Sequence, residues 1–203
     1  MTEQVRTEND SMGTFEVPAD ALYGAQTARA LANFPISGRG PDADFVIATV
    51  RIKRAAAVAN HAGGTLDERR ARAIEAACDR ILAGDYRDQF VVDRFQAGAG
   101  TSHNMNANEV IANLANRDLG GAIGQYDPIH PNDHVNQSQS TNDTIPTALR
   151  LTALAKLPRL TAALTGMADA LAAFAEQEKD TVKSARTHLQ DAVPTTLGRE
   201  FGA

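Results

Sequence analysis

The stretch TIPTALRLTALAKLPRLTAALTGMADALAAFAEQE, Thr144 to Glu178, decides the fold. Leu157, Leu164 and Leu171 form one heptad series, and Leu160, Met167 and Phe174 form a second, offset by three residues. Apolar side chains at this spacing fall on one face of a helix and make a coiled-coil-like seam. At ~1.5 Å per residue the helix is roughly 50 Å long. Pro158 should bend it rather than end it, because the stripe continues unbroken across the proline. A seam of this kind wants partner helices, yet the chain closes soon afterwards on TTLGREFGA, with no second helix of that length. The expectation is that other subunits supply the partners and that only the start of a helical bundle lies within these residues.

Immediately before the helix runs SQSTNDTIP, Ser138 to Pro146. Ser, Thr and Asn hydrogen-bond free helix N-terminal amides, and Pro146 suits the opening of a helix, so part of this stretch is an N-cap. One cap uses one side chain. The remaining hydroxyl and amide donors cluster where a helix start also points unpaired N–H groups and the positive end of its dipole, an arrangement suited to a carboxylate.

Further upstream the pattern stays helical. Asp42 caps and Gly63 stops an Ala-rich segment, DADFVIATVRIKRAAAVANHAGG, and Asp67 to Ala83 places Ile74, Ala77, Cys78, Ile81 and Leu82 on one stripe before Gly84. DQFVVD reads as short and β-like. The glycine turn QAGAGTS then leads into a helix from about His103 to Leu119 with Val110, Ile111, Leu114 and Ala115 inward. Residues 1–41 read as extended segments, turns and one short helix.

The chain has 203 residues and a formal net charge of -5, enough for one sizeable core or a domain and a half. The acidic balance excludes general nucleic-acid binding, which needs a surplus of Lys and Arg on one face. The single cysteine, Cys78, sits on an apolar stripe, excludes an intramolecular disulfide and fits a reducing compartment. MTEQVRTENDSMG lacks the apolar run of a signal peptide, and no window approaches the ~18 to 20 apolar residues of a membrane span, so a cytoplasmic protein with no membrane partner is expected.

Three polar stretches interrupt the helical pattern: Gly98 to Val110, His130 to Pro146 and Arg186 to Gly198. No Lys or Arg occurs from Asp118 to Leu149, so an anion there would be held by hydroxyls, amides and backbone N–H groups, which can stabilise an oxyanion by preorganised dipoles. Gly98-Ala99-Gly100 lacks the third glycine of a dinucleotide loop, and no Gly-Lys-Ser/Thr makes a P-loop. Thr101 and Ser102 read first as helix caps. Asn104, Asn106 and Asn108 are either solvated or paired with buried backbone. His130 and His134 have the i, i+4 spacing of metal ligands, but a turn at Pro131 and the lack of a nearby third ligand leave no metal site. His188, flanked by Arg186, Thr187, Gln190 and Asp191, can act as acid, base or anion donor, or fill a structural hydrogen-bonding role.

Together these strings change the reading. GAGTSHNMNANEVIAN, HPNDHVNQSQSTNDTIPTA and RTHLQDAVPTTLGREF, with VPADALYGAQTARALANFPISG at the N-terminus, resemble the conserved regions of the aspartase/fumarase superfamily over essentially the whole chain. The resemblance implies a mainly α fold: a small mixed, mostly helical N-terminal domain, residues 1–140, followed by the start of a long central helical bundle, residues 141–203. It also implies a homotetramer whose active sites are shared between subunits. Ser140, Thr141 and Asn142, joined by Thr101, would bind one carboxylate of a small dicarboxylate substrate. Thr187 and His188, from a neighbouring subunit, would bind its other end, with His188 as acid, base or donor. His130, Asn132, Asp133 and Asn136 would fall at the family's second anion site, although that site usually has basic residues before the His, where this chain has QYDPI. No cofactor and no metal are implied.

The family's chemistry removes a proton beside one carboxylate, holds the carbanion as an aci-carboxylate, and expels ammonia or water from the adjacent carbon to give fumarate. GAGTS, STND and DAVP favour aspartate ammonia-lyase; HPNDHVN and RTHLQDA are at home in class II fumarate hydratase, the alternative activity. The family's third conserved stretch, with its serine base and following Lys and Asn, has no match here. The resemblance therefore implies an incomplete subunit, inactive alone, and the competing class is a non-catalytic helical oligomerisation fragment.

Overall fold

The computed structural model describes residues 4–10 and 12–203. Met1, Thr2, Glu3 and Ser11, part of the polar segment read above as no leader, lie outside the described residues. The chain divides into two compact units, Met1–Thr152 and Ala153–Ala203.

The first unit opens with an antiparallel hairpin, β1 (Val5–Asp10) and β2 (Gly13–Pro18), paired from Val5 with Pro18 to Asp10 with Gly13. Four helices follow: α1 (Ala25–Asn33), α2 (Ala43–Ala62), α3 (Glu68–Ala83) and α4 (Thr101–Asp118). A π-helical turn (Pro131–Val135) leads to α5 (Thr141–Gln177), whose first turns belong to this unit. The caps are where the sequence puts them: Asp42 accepts from the Asp44 N–H at 3.0 Å and Asp67 from the Arg70 N–H at 3.0 Å, while Gly63 and Gly84 close the two helices.

The core lies between α2, α3 and α4, where Val50, Ile74, Val110, Ile111 and Leu114 are wholly buried. Each aliphatic side chain removed from water in this way contributes about 1.5–3 kcal/mol. Cys78 is packed among them, and burial pushes its thiol well above the ordinary range, so it behaves as a core residue.

Helix α4 is unusual in being buried on every side from His103 to Asn116 although five of those residues are asparagines. Asn106 accepts from the Val91 N–H and donates to the Gln89 carbonyl, both at 2.9 Å. Asn113 donates to the Leu22 carbonyl and accepts from the Gly124 N–H, and Asn116 bonds both the N–H and the carbonyl of Ile129. The helix thus supplies hydrogen bonds to loops that have no ladder of their own, which settles the backbone groups such loops would otherwise bury unpaired. DQFVVD, expected to be β-like, is a correction on this account: Arg87–Gln89 form a 3₁₀ turn, and the residues after it run without a strand partner because Asn106 takes the bonds a ladder would make.

The second unit holds the rest of α5, a hairpin of β3 (Val182–Thr187) and β4 (Gln190–Thr196), and the short α6 (Leu197–Phe201). Helix α5 is continuous through Pro158, as the unbroken stripe demands. Its seam is open in this chain, with Leu157, Leu160, Leu164 and Met167 each about half exposed, and near its end Phe174 meets Phe201 edge-on at 4.9 Å. Among the described residues no helix is long and apolar enough to cross a membrane.

Candidate functional site

The first site is built where two helix starts adjoin. Gly100 precedes α4 with φ +77, a left-handed conformation that favours glycine, and a Cβ added there would lie 3.0 Å from the Ile145 side chain in α5. The close approach brings the opening turn of α4 beside that of α5. Polar side chains continue the link: Thr144 of α5 donates to Asn104 Oδ1 at 3.4 Å, and Asn104 Nδ2 donates to Asn136 Oδ1 at 3.1 Å.

At the start of α5 the Ser140 hydroxyl accepts from the Asn142 N–H at 3.2 Å, and its carbonyl accepts from Asp143 and Thr144 at 3.0 Å, so Ser140 is the cap. Thr141 is half-buried and Asn142 exposed, and among the described residues neither side chain is held by another group. Thr101 is also exposed. The expectation that Thr101 and Ser102 cap α4 is corrected: Gly100 occupies the cap position, Thr101 is already the first helical residue, and the side chain that meets the α4 amides is Gln96, whose Oε1 accepts from the His103 N–H at 2.7 Å. The hydroxyls of Thr101 and Thr141, the Asn142 side-chain amide and, among the described residues, the backbone N–H groups of Thr101, Ser102 and Thr141 are therefore available to a ligand.

The remaining candidates fall elsewhere. His130 and Asn132 line a cavity of about 220 Å³ with Glu8, Asp10, Glu109 and Tyr126. His130 caps the π-helical turn, accepting from the Asp133 N–H, and its Nδ1 stands 3.3 Å from the Asp133 carboxylate. Asn136 does not line that cavity: its oxygen accepts from Lys53 and Asn104, and its amide donates to the Gln139 carbonyl. The cavity's carboxylates are already engaged. Glu109 accepts from the N–H groups of Gly24, Gln26 and Thr27 and from the Thr27 hydroxyl, and Glu8 accepts from the Ala25 N–H and the Tyr126 hydroxyl. Two carboxylates therefore serve the α1 N-terminus. Burial holds the Glu109 pKa above its ordinary value, and these bonds pull the other way. A Cβ at Gly24 would lie 1.8 Å from the Tyr126 hydroxyl, so the glycine of LYGAQ is required by this close approach.

In the second unit, Thr187 and Gln190 close a two-residue hairpin whose turn residues, His188 and Leu189, have φ +49 and +63. This is the geometry of a left-handed hairpin turn, usually given to Asn-Gly. Thr187 and His188 are exposed, and among the described residues no partner holds the His188 ring. No group of three or more His, Cys, Asp or Glu among the described residues is placed to hold a metal.

A family profile described as lyase matches residues 13–203. This chain belongs to the lyase family. Its relatives include a class II fumarate hydratase of Halobacterium salinarum, 53% identical over 100% of this chain and 43% of the relative. An aspartate ammonia-lyase of Pseudomonas aeruginosa is 50% identical over 98% of this chain and 42% of the relative. Among solved structures, a fumarate lyase:delta crystallin from Brucella melitensis aligns with TM-score 0.91 at 49% identity, covering 98% of this chain and 44% of that one. A class II fumarase from Schistosoma mansoni aligns with TM-score 0.88 at 35% identity, covering 98% and 42%. The lyase chain thus spans less than half the length of the relatives it matches. The mainly helical fold and the membership expected from the conserved strings both hold.

Lys53, Glu8 and Glu109 are not among the candidate residues of the three polar stretches. Lys53 had a signal: it occupies an apolar position of α2 on the stripe Val46, Val50, Lys53 and Ala57, where a charged residue is out of place. Glu109 was less visible, because the groups it serves lie more than 80 residues away in sequence.

Proposed function

We propose that the protein carrying this chain is a lyase that forms fumarate reversibly by eliminating a group β to a carboxylate, with L-aspartate and ammonia as the first reading of substrate and leaving group. The observation that carries it is the adjoining of two helix starts at which Thr101, Thr141 and Asn142 keep free donors. One substrate carboxylate sits against these groups and the capping Ser140. A base takes the proton from the carbon beside it, and the electron pair moves into that carboxylate, so the charge on its oxygens grows. The C–N bond then breaks, its electron pair leaves with the nitrogen, and the substrate's ammonium group departs as neutral ammonia. Neutral donors aimed at the carboxylate strengthen their hold as charge accumulates, which lowers the barrier; uniform binding would not. Thr187 and His188 of a neighbouring subunit hold the other end, His188 as acid, base or donor, in a homotetramer assembled on the α5 seam.

The second reading, elimination of water from L-malate by a class II fumarate hydratase, is supported by the Halobacterium relative, whose identity to this chain is 53%. The second anion site is assigned to His130 and Asn132 with Asp133, and is expected to bind weakly, because Glu8, Asp10 and Glu109 line the same cavity. The protein acts in the cytoplasm, in keeping with its one buried thiol.

The experiment is fumarate formation from L-aspartate and from L-malate by the full product of the gene and, separately, by the isolated 203 residues. Turnover of one substrate by the full product selects the leaving group. The isolated chain should be inactive, since no residue in it matches the family's serine base, and steady turnover by that chain would refute the incomplete-subunit reading. Absence of turnover by the full product, with oligomers retained, would favour the non-catalytic assembly reading.

A further inference from the structure

Lys53 is wholly buried in α2, and its ammonium donates to Asn136 Oδ1 at 2.8 Å and Gln139 Oε1 at 3.0 Å. Both acceptors are neutral amides, and among the described residues no carboxylate pairs with it. The titratable groups that face it are Cys78 of α3 and His103 of α4. Burial keeps both uncharged near neutrality, pushing the thiol up and holding the imidazole down at about 4. A buried cation without a counter-ion is costly, and an amide or hydroxyl donor could pin the same turn at lower cost.

The location of this charge gives it a use. Gln139 directly precedes Ser140, and Asn136 connects through Asn104 to Thr144 in the first turn of α5. The segment from Asp118 to Leu149 has no Lys or Arg of its own, so α2 delivers a positive charge to it. We propose that Lys53 is a positioning residue for the substrate carboxylate: it fixes, through Asn136 and Gln139, the turn that presents Ser140, Thr141 and Asn142, and its buried charge favours an anion at the α5 start. This rests on the lyase reading above. The lysine is held down at about 7 by burial, so a carboxylate arriving nearby stabilises the charged form and is itself held more tightly.

The test uses the full gene product with L-aspartate and L-malate, reading KM and kcat separately alongside the melting curve. Lys53→Met should raise KM about 10-fold or more and lower kcat as well, since the lost charge faces the carboxylate on which negative charge accumulates in the transition state. In the parent KM should climb from about pH 7 to about pH 9 as the lysine loses its proton, and in Lys53→Met that climb should vanish. Gln139→Ala leaves the lysine in place, and should raise KM about 3-fold on a protein that melts like the parent. If Lys53→Met does not fold, Gln139→Ala and the parent pH profile decide. Parental KM in the folded variants, or a loss confined to kcat, would overturn the role of Lys53 alone. A parent that turns over neither substrate would overturn the lyase reading, and this role with it.

Discussion

Asparagine is used in opposite ways at the middle of α4 and at the start of α5. Asn106, Asn113 and Asn116 are buried, and each spends both ends of its amide on loop backbone. Asn142 is exposed, and among the described residues its side chain holds nothing within the chain. The same residue type is mortar in one place and a free donor in the other. The difference teaches that hydrogen-bond capacity left unspent, rather than polarity, marks the surface offered to a ligand.

The largest expected effect comes from breaking the mortar. Asn116→Leu removes two bonds to Ile129, at 2.7 and 2.8 Å, and leaves a buried N–H and carbonyl unpaired. Unfolding in urea should show a loss of about 4 kcal/mol, from about 1–3 kcal/mol for each orphaned group. A loss under about 1 kcal/mol would mean that the loop can turn to water and that α4 is not its support.

A smaller effect should come from acid. The His103 ring stacks on Phe45 at 4.5 Å and donates from Nε2 to Thr49, whose own hydroxyl proton goes to the Phe45 carbonyl. Its Nδ1 is buried without a partner, and burial holds the folded pKa at about 4 against an ordinary 6.5. Between those values the unfolded chain binds a proton that the folded chain does not, so stability falls as pH drops from about 6.5 towards 4, by about 3 kcal/mol in all. Replacement of His103 by Gln should flatten that part of the stability profile; a slope unchanged by the replacement would assign the acid sensitivity to other groups.

The smallest effect on stability is expected at α5 itself. Asn142→Leu touches no internal bond of the Asn142 side chain and should shift the unfolding free energy by less than about 0.5 kcal/mol. A loss comparable with that of Asn116→Leu would erase the distinction between the two regions.

Much of the fold was legible because its signals are local. The caps Asp42 and Asp67, the stops Gly63 and Gly84, and the Leu157, Leu164 and Leu171 stripe are each read within a few turns of helix. The supports of α4 were not legible, since Asn113 meets the Leu22 carbonyl 91 residues away and no periodicity records such a bond. DQFVVD misled for the same reason: its β-like composition is real, but a distant Asn106 stands in for the neighbouring strand. At the candidate site, Ser140, Thr141 and Asn142 stand out by donor density, whereas Thr101 enters only through the family resemblance. The β3–β4 hairpin was not, because the positive φ values at His188 and Leu189 carry none of the usual Asn-Gly signature. Asn136 illustrates the limit of motif reading, since it sits near His130 in sequence yet turns towards Lys53.

The most direct test of the account measures one protein in two ways: the full gene product carrying Thr141→Val and Asn142→Ala together, assayed for fumarate formation and followed through thermal melting. The account predicts a melting curve like the parent's with turnover reduced about 10²-fold or more, the loss expected when aimed donors to a developing oxyanion are removed. Parental turnover on an unaltered fold would contradict it and return the free donors of α5 to the role of a simple helix start.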